Sequence, residues 1–453
     1  MATAVKAAII GAGSAVFSMK LVTDFCLFKS LSGTSVALMD IDEARLDAIH
    51  TVATRYASEV GANITFTKTT DRRQALAGAD FVINTTLAGG QEGVQQEGLV
   101  SNRHGFFRHA PSMHTFRQFA LSLDIARDME ALCPDAWLLQ ASNEVFDIST
   151  LVSRQTSIKV IGLCHGIYGY EDLAKELGLD LSEVHVEVPG VNHCIWMIQF
   201  RYRGRDAYPL IDEWLATKAE GFWKTYKPKG VNTQMSRTAF HLYKMYGLMP
   251  IGDTPRFTGI PRQTGWWYHT DLPTEQYWYG VGSGEAYDKN AKIEPHILRG
   301  QQRTEMVGQM AHDPNAKITE HFPAVPSREL HVPIIDALVN DNPGTFQVNV
   351  PNRGAIAGIA DDVVVELPAV VSASGVQPLQ IGAMPGNIMV QMLLPRILEM
   401  EQNLETFLSG RRSMLLYRVL MDHRTQSLTQ AEAWLDEVLT LPHNRGLAAR
   451  MSS

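Results

Sequence analysis

Short apolar runs alternate with helix-period segments through the first third of the chain. Residues 5–10, 35–40, 63–67, 80–86, 136–143 and 158–164 read as strands, each a compact apolar run bounded by turn formers or polar residues. Between them apolar positions recur at helical spacing: Val16, Met19 and Leu21 after the first run, a segment opening at Ile41, another over 71–77, and a long one over 113–132. Gly89-Gly90 opens a polar stretch that reads as loop as far as Arg108. Repeated strand–helix units predict a parallel, doubly wound α/β sheet with right-handed crossovers. From about residue 200 the alternation stops. Residues 206–226, 232–246 and 295–312 read as helices, 250–284 as a loop rich in Pro, Gly and Trp, and 346–350, 355–357 and 363–366 as a small antiparallel sheet. Helices over 388–439 close the chain.

A length of 453 residues exceeds one ordinary core, so two domains are expected. The division falls at 1–199 for a nucleotide-binding domain and 200–453 for an α+β domain that binds substrate and mediates oligomerisation. The pairing resembles the layout of lactate and malate dehydrogenases. A net charge of −8 with 19% charged residues gives no reason to expect nucleic acid or an anionic membrane as partner. No apolar run approaches the roughly 20 residues that span a bilayer. Four cysteines in so long a chain are no disulfide framework and suit a reducing compartment. With a strand starting almost at once and no signal-peptide pattern, the expected location is cytoplasmic. Apolar positions Met389, Val390, Leu393, Leu394, Ile397 and Met400 suit either a core face or the interface of a homodimer or homotetramer.

The first run ends in Gly11-Ala-Gly13-Ser14 and leads into a helix. That order lets backbone approach a dinucleotide pyrophosphate at a helix N-terminus, although Val16 stands where a third glycine is usual. The second run ends at Asp40, placed to accept both ribose hydroxyls of NAD and to repel the 2′-phosphate of NADP. Asn84, closing a later strand, is expected to face the same crevice. Cys164, at the end of the strand over 158–164, and His193 after a second apolar run are good ligands for a divalent metal. Two such ligands leave coordination positions open for substrate. Taken singly, each also suits plain packing.

Gly11-Ala-Gly-Ser14, Leu38-Met-Asp40-Ile-Asp42, Cys164-His165-Gly166-Ile167, Asn192-His193, Asn349-Val-Pro-Asn352-Arg-Gly354, Val365-Glu366-Leu-Pro368 and Pro378-Leu-Gln-Ile-Gly382 together resemble glycoside hydrolase family 4 over nearly the whole chain. The resemblance implies redox-neutral hydrolysis. Hydride passes from sugar C3 to NAD+, the ketone acidifies the C2 proton, and a base removes it. The aglycone then leaves C1, water adds and the hydride returns. A divalent metal, usually Mn2+, attends the C2 and C3 oxygens. Carried over by position, Cys164 and His193 hold the metal, while His165 lines the sugar pocket or caps its turn. Asn143 touches substrate, although Glu144 follows it where the family usually has proline. Asn192 bonds a sugar hydroxyl or orients its loop. Asp253 is the general acid or base, with Tyr268 a second candidate.

Cys-His-Gly looks like members that act on uronic acids. Lys224, Lys227, Lys229, Arg237, Arg256 and Arg262 stand among Trp223, Tyr226, Trp266 and Trp267, so an anionic group at C6 is expected, with Arg256 and Arg262 binding it. A uronide or the sulfonate of sulfoquinovose meets that description, and Thr-Pro-Arg after Asp253 inclines slightly toward the sulfonate. The rival readings are a 2-hydroxyacid dehydrogenase of lactate/malate type, which leaves Cys164 without a use, and a non-catalytic NAD-sensing regulator.

Overall fold

The computed structural model describes residues 2–106, 111–228, 232–257, 266–284 and 295–451. In chain order the strands of the first half are β1 (Lys6–Ile10), β2 (Ser35–Met39), β3 (Thr65–Thr69), β4 (Phe81–Asn84), β5 (Trp137–Gln140) and β6 (Lys159–Gly162). All pair in parallel, in the spatial order β3-β2-β1-β4-β5-β6. This is the order of a dinucleotide-binding sheet, with its topological switch between β1 and β4. Ile9, Ile83 and Leu139 are fully buried, as strands covered by helices on both faces require. One group of packed helices comprises Ala15–Leu27, Glu43–Glu59, Pro295–His312 and His331–Asn340. The other comprises Arg72–Leu76, His114–Leu132, Val145–Gln155 and Leu394–Ser409. The fold is thus α/β and Rossmann-like.

The later strands are β7 (Val184–Glu187), β8 (Gly190–Val191), β9 (Cys194–Met197), β10 (Gln199–Tyr202), β11 (Arg205–Asp206), β12 (Met249–Ile251), β13 (Gly344–Pro351), β14 (Ile356–Ala357), β15 (Val364–Ser372), β16 (Gly375–Pro378) and β17 (Gly382–Ala383). The antiparallel pair β13–β15 was expected to form a small sheet of its own. Instead it continues the first-half sheet, through Asn349 opposite Gly162, and carries β8, β9 and β12 beyond it. A Cβ at Gly162 would stand 2.8 Å from Asn349 Cβ and 2.6 Å from Val145 Cγ1, so glycine is what lets the two strands meet. The site residues described below are therefore mounted on one sheet.

Two stretches read as loop hold helices. Residues 89–108 contain the helix Gly90–Arg103, and 250–284 contain Thr254–Phe257 and Leu272–Tyr279. The former buries Gly93, Glu97, Gly98, Val100 and Ser101, so it shows no stripe of large apolar residues. A second, smaller core gathers Ile195, Met197, Phe200, Trp214, Phe240 and Met249 under β9 and β12. Among the described residues no helix is long and apolar enough to cross a membrane.

Candidate active site

After β1 the chain folds over the end of β2: Gly11 N and Ala12 N both donate to Met39 O at 2.9 Å. Gly13 N donates to Asp40 Oδ2 at 2.7 Å, and Asp42 N donates to Oδ1 at 3.0 Å. A Cβ on Gly13 would lie 2.7 Å from that carboxylate, so the turn sits against Asp40 only as glycine. Each Asp40 oxygen keeps a further lone pair for a hydroxyl. Ser14 is exposed at the N-cap of Ala15–Leu27 and its side chain makes no capping bond. The leading N–H groups of that helix thus have no side-chain cap and suit an anion. These features fit a dinucleotide.

Asn84 does not face the crevice. It is fully buried, its Nδ2 donates to Ser122 Oγ and Gln140 Oε1, and its Oδ1 accepts from Thr86 N and Thr86 Oγ1. All four bonding positions of the amide are spent, two on the neighbouring strand and helix and two on Thr86, which makes it a brace for the loop after β4.

Three donors converge where β6, the β8–β9 turn and β12 end. One donor atom each from Cys164, His193 and Asp253 lies within 4.8 Å of the others, with His193 Nε2 3.6 Å from Asp253 Oδ2. Asp253 thereby joins the pair expected from sequence. His193 occupies the two-residue turn between β8 and β9 in the left-handed region, φ 62°, a conformation that non-glycine residues adopt at a cost and that clusters at functional sites. Burial dominates the titration of all three. It pushes the Cys164 thiol up to about 12, assisted by the charges of Glu366 and Asp253. It lowers His193 to about 3 with help from Arg396, and raises Asp253 to about 6 against the opposing Arg256 guanidinium. Thiolate, imidazole and carboxylate form a donor set that suits a divalent first-row metal.

Other expected residues take different places. Asn192 is buried and donates from Nδ2 to Glu366 Oε2 at 2.8 Å, so of its two expected roles the structure fits the orienting one. His165 is bonded through Nε2 to Glu329, whose other oxygen accepts from Lys20 Nζ at 2.9 Å, tying His165 to the helix that starts at the glycine turn. Asn143 is exposed, and its peptide bond to Glu144 is cis. Arg256 lies 3.8 Å from Glu275. Tyr268 is fully buried, its hydroxyl 2.7 Å from His241 Nδ1 and its ring against Trp278. Burial raises that phenol to about 12. Its hydroxyl is engaged with His241, away from the proton-transfer role expected of it, which argues against it as the base. Arg237 is sandwiched between Trp223 and Tyr277 and paired with Glu220, so it braces this region rather than presenting a fork to ligand. Arg262 and Lys229 lie outside the described residues.

Sequence reasoning assigned no role to Glu366, Glu329, Glu144 or Arg396. Arg396 reaches back from Leu394–Ser409 to bond Asp147 at 2.8 Å and lies 3.8 Å from Glu144, whose carboxyl burial raises to about 7. One signal was available: Glu366 is the lone acid in the apolar strand Val364–Ser372, and a charge there demands a partner. A cleft of about 740 Å³ lies elsewhere, lined by Val5, Asp80, Phe81, Trp137 and Lys159. It sits at the amino ends of the strands, opposite the end where such sheets bind ligands.

The model of the family described as "Family 4 glycosyl hydrolase" matches residues 6–179, and that of its C-terminal domain matches 188–425. An alpha-galacturonidase of Thermoanaerobacter italicus is 25% identical over 452 residues, covering 95% of this chain and 94% of its own. Among solved structures, a putative glucosidase, LplD, from Bacillus subtilis superposes with a TM-score of 0.78 at 22% identity, covering 96% of this chain and all of that one. A 6-phospho-alpha-glucosidase from gut microorganisms, in complex with NAD and Mn2+, gives 0.75 at 17% identity over 96% and 98% of the two chains. The two structural likenesses establish a shared fold.

Proposed function

The chain belongs to family 4 of the glycosyl hydrolases, and from that premise we propose an NAD+- and divalent-metal-dependent glycosidase acting on glycosides of a sugar with an anionic group at C6. The observation that carries this reading is the convergence of Cys164, His193 and Asp253 beside a sheet of dinucleotide-binding order. β1 and β6 are three strand spacings apart, roughly 14 Å, the span that a dinucleotide held by the glycine turn would cover to bring its nicotinamide to the Cys164 group. NAD+ supplies a reversible hydride acceptor, and a cation such as Mn2+ supplies Lewis acidity at neighbouring sugar oxygens.

In this reading Gly11, Gly13 and Ser14 hold the pyrophosphate, and Asp40 takes the ribose hydroxyls. Cys164 and His193 hold the cation. Asp253, whose carboxylate stands beside both donors, takes the C2 proton. His165, fixed by Glu329, and Asn143, exposed at the end of β5, line the sugar. Arg256, adjoining Asp253 in charge, and Arg262 meet the C6 anion. Of the two anionic classes, a uronide stands first, because a relative aligned over 95% of the chain is an alpha-galacturonidase. A sulfoquinovoside is the second candidate. The exposed stripe Val390, Leu394 and Leu398, spaced by four along the helical stretch that begins the C-terminal region, supports a homodimer or homotetramer. Light scattering that returned the mass of one chain would count against it.

The test is a panel of nitrophenyl uronides, sulfoquinovosides and neutral glycosides with NAD+ and Mn2+. Release of nitrophenol without net NADH, and deuterium at C2 of the sugar freed in D2O, is the expected result. Stoichiometric NADH without aglycone release would instead favour the 2-hydroxyacid dehydrogenase.

A further inference from the structure

Four strands meet along one row of residues. Gly162 on β6 faces Asn349 on β13, Asn349 faces Glu366 on β15, and Glu366 faces Gly190 on β8. Cys164 follows Gly162 by two positions, and Asn192 follows Gly190 by two. Glu366 is thus the charged group at the centre of a row whose two ends lead into the metal-binding candidates. It is 1% exposed in a strand that is apolar on either side. Its Oε2 accepts from Asn192 Nδ2 at 2.8 Å; among the described residues its Oε1 meets no donor in good hydrogen-bond geometry, with the side chains of Gln347 and Asn349 also facing the carboxyl. A carboxylate this deeply buried costs more than an apolar residue of similar volume, so packing alone does not account for it.

We propose that Glu366 is a positioning residue for the cation site, acting through Asn192 to fix the turn that sets His193 beside Cys164. The inference rests on the reading that Cys164 and His193 hold a divalent cation. Burial raises the Glu366 carboxyl to about 7, and in either protonation state it keeps an accepting oxygen, Oε2, which holds Asn192 with its NH2 group, not its carbonyl, toward Glu366. The β8–β9 turn has two residues, Asn192 and His193, so pinning the first sets where the second projects its ring. The left-handed conformation of His193 makes that pin consequential, because the turn does not hold this shape by its own preference. Partners that orient metal ligands in this way commonly control affinity nearly as strongly as the ligands do.

The test uses the full chain with two probes: Mn2+ titrated by calorimetry, and Co2+, whose bond to a thiolate gives a charge-transfer absorption. E366L is expected to weaken Mn2+ binding about 10- to 100-fold and to diminish the cobalt–thiolate band. E366Q keeps one acceptor oxygen for Asn192 and is expected to return affinity to within about three-fold of the parent. Should E366L fail to fold, N192L cuts the same chain of contacts from the other end and is expected to give the same loss. Parental Mn2+ affinity in E366L or N192L overturns the proposal. So does an E366Q no better than E366L, which would mean that charge alone is at work. A parent protein with no cobalt–thiolate band refutes the cation-site reading itself, and that outcome is distinct from the others.

Discussion

Burial drives each of the three converging side chains toward its uncharged form: Cys164 as thiol, His193 as neutral imidazole, Asp253 with its carboxyl raised to about 6. For the imidazole this is the form that ligates; for the thiol it is not. A cation held by Cys164 and His193 must displace a proton from the thiol. Mn2+ affinity should therefore rise with pH, and calorimetry in buffers of different ionisation enthalpy at pH 7–8 should find about one proton released per cation. Affinity that stays flat between pH 6 and 8 would mean Cys164 is not a ligand. A second residue-scale prediction concerns Asp40, which sits against the glycine turn with lone pairs to spare. Asp40→Ala should weaken NAD+ binding by about ten-fold or more, the worth of a hydrogen bond to a charged group, and narrow the gap between NAD+ and NADP+. Fluorescence titration with both nucleotides checks this, and an unchanged preference would remove Asp40 from the ribose site.

At the scale of elements, the helix Gly90–Arg103 supplies the clearest stability test. Its Glu97 is buried, and burial alone would raise its carboxyl. His443, Arg117, Ser112 and Asn444 more than offset that and hold it down at about 2. A depressed carboxylate contributes stability that is fully present above its unfolded value, near 4.5, and is lost as pH falls toward 2. The shift corresponds to roughly 3 kcal/mol. Denaturant melts should show E97Q destabilised by about that much at pH 7, with the gap roughly halved at pH 3 and nearly closed by pH 2. A gap that persists at low pH would assign the loss to packing. This helix also marks where the sequence was hard to read, since burying glycines, a serine and a paired acid leaves no apolar stripe to see. The elements with local signatures were legible: the alternation predicting the parallel sheet, the glycine turn, and Asp40 after β2. Asn84 misled because a polar residue closing a strand looks the same whether it faces a crevice or a neighbouring amide. The joining of β13 to β6 and the bond from Asn192 to Glu366 depend on pairings across 174 to 187 residues, which no local pattern encodes.

At the scale of the whole molecule, one sheet carries strands from both halves of the chain, and the site is assembled across them. The helix after the glycine turn is linked to His165 through Glu329, from the segment after residue 312, and Arg396 comes to the edge of the site from the C-terminal helices. A ligand seated between the glycine turn and the Cys164 group therefore contacts parts that must be folded together, and binding it stabilises the joint state rather than one half. At 100 times its Kd, NAD+ should add about 2.7 kcal/mol. Over 453 residues the unfolding entropy is about 0.95 kcal/mol per kelvin, so the melting temperature should rise by about 3 °C. Chelation should behave differently. The donors stand on strands paired across the sheet, so stripping the cation with EDTA should abolish turnover while leaving the far-ultraviolet circular dichroism and the NAD+-induced rise in place. Scanning calorimetry separates the cases. One transition that moves as a unit with NAD+ supports a single cooperative body. Two transitions, of which only the lower-numbered half responds, would mean that the halves fold independently and the shared sheet does not couple them.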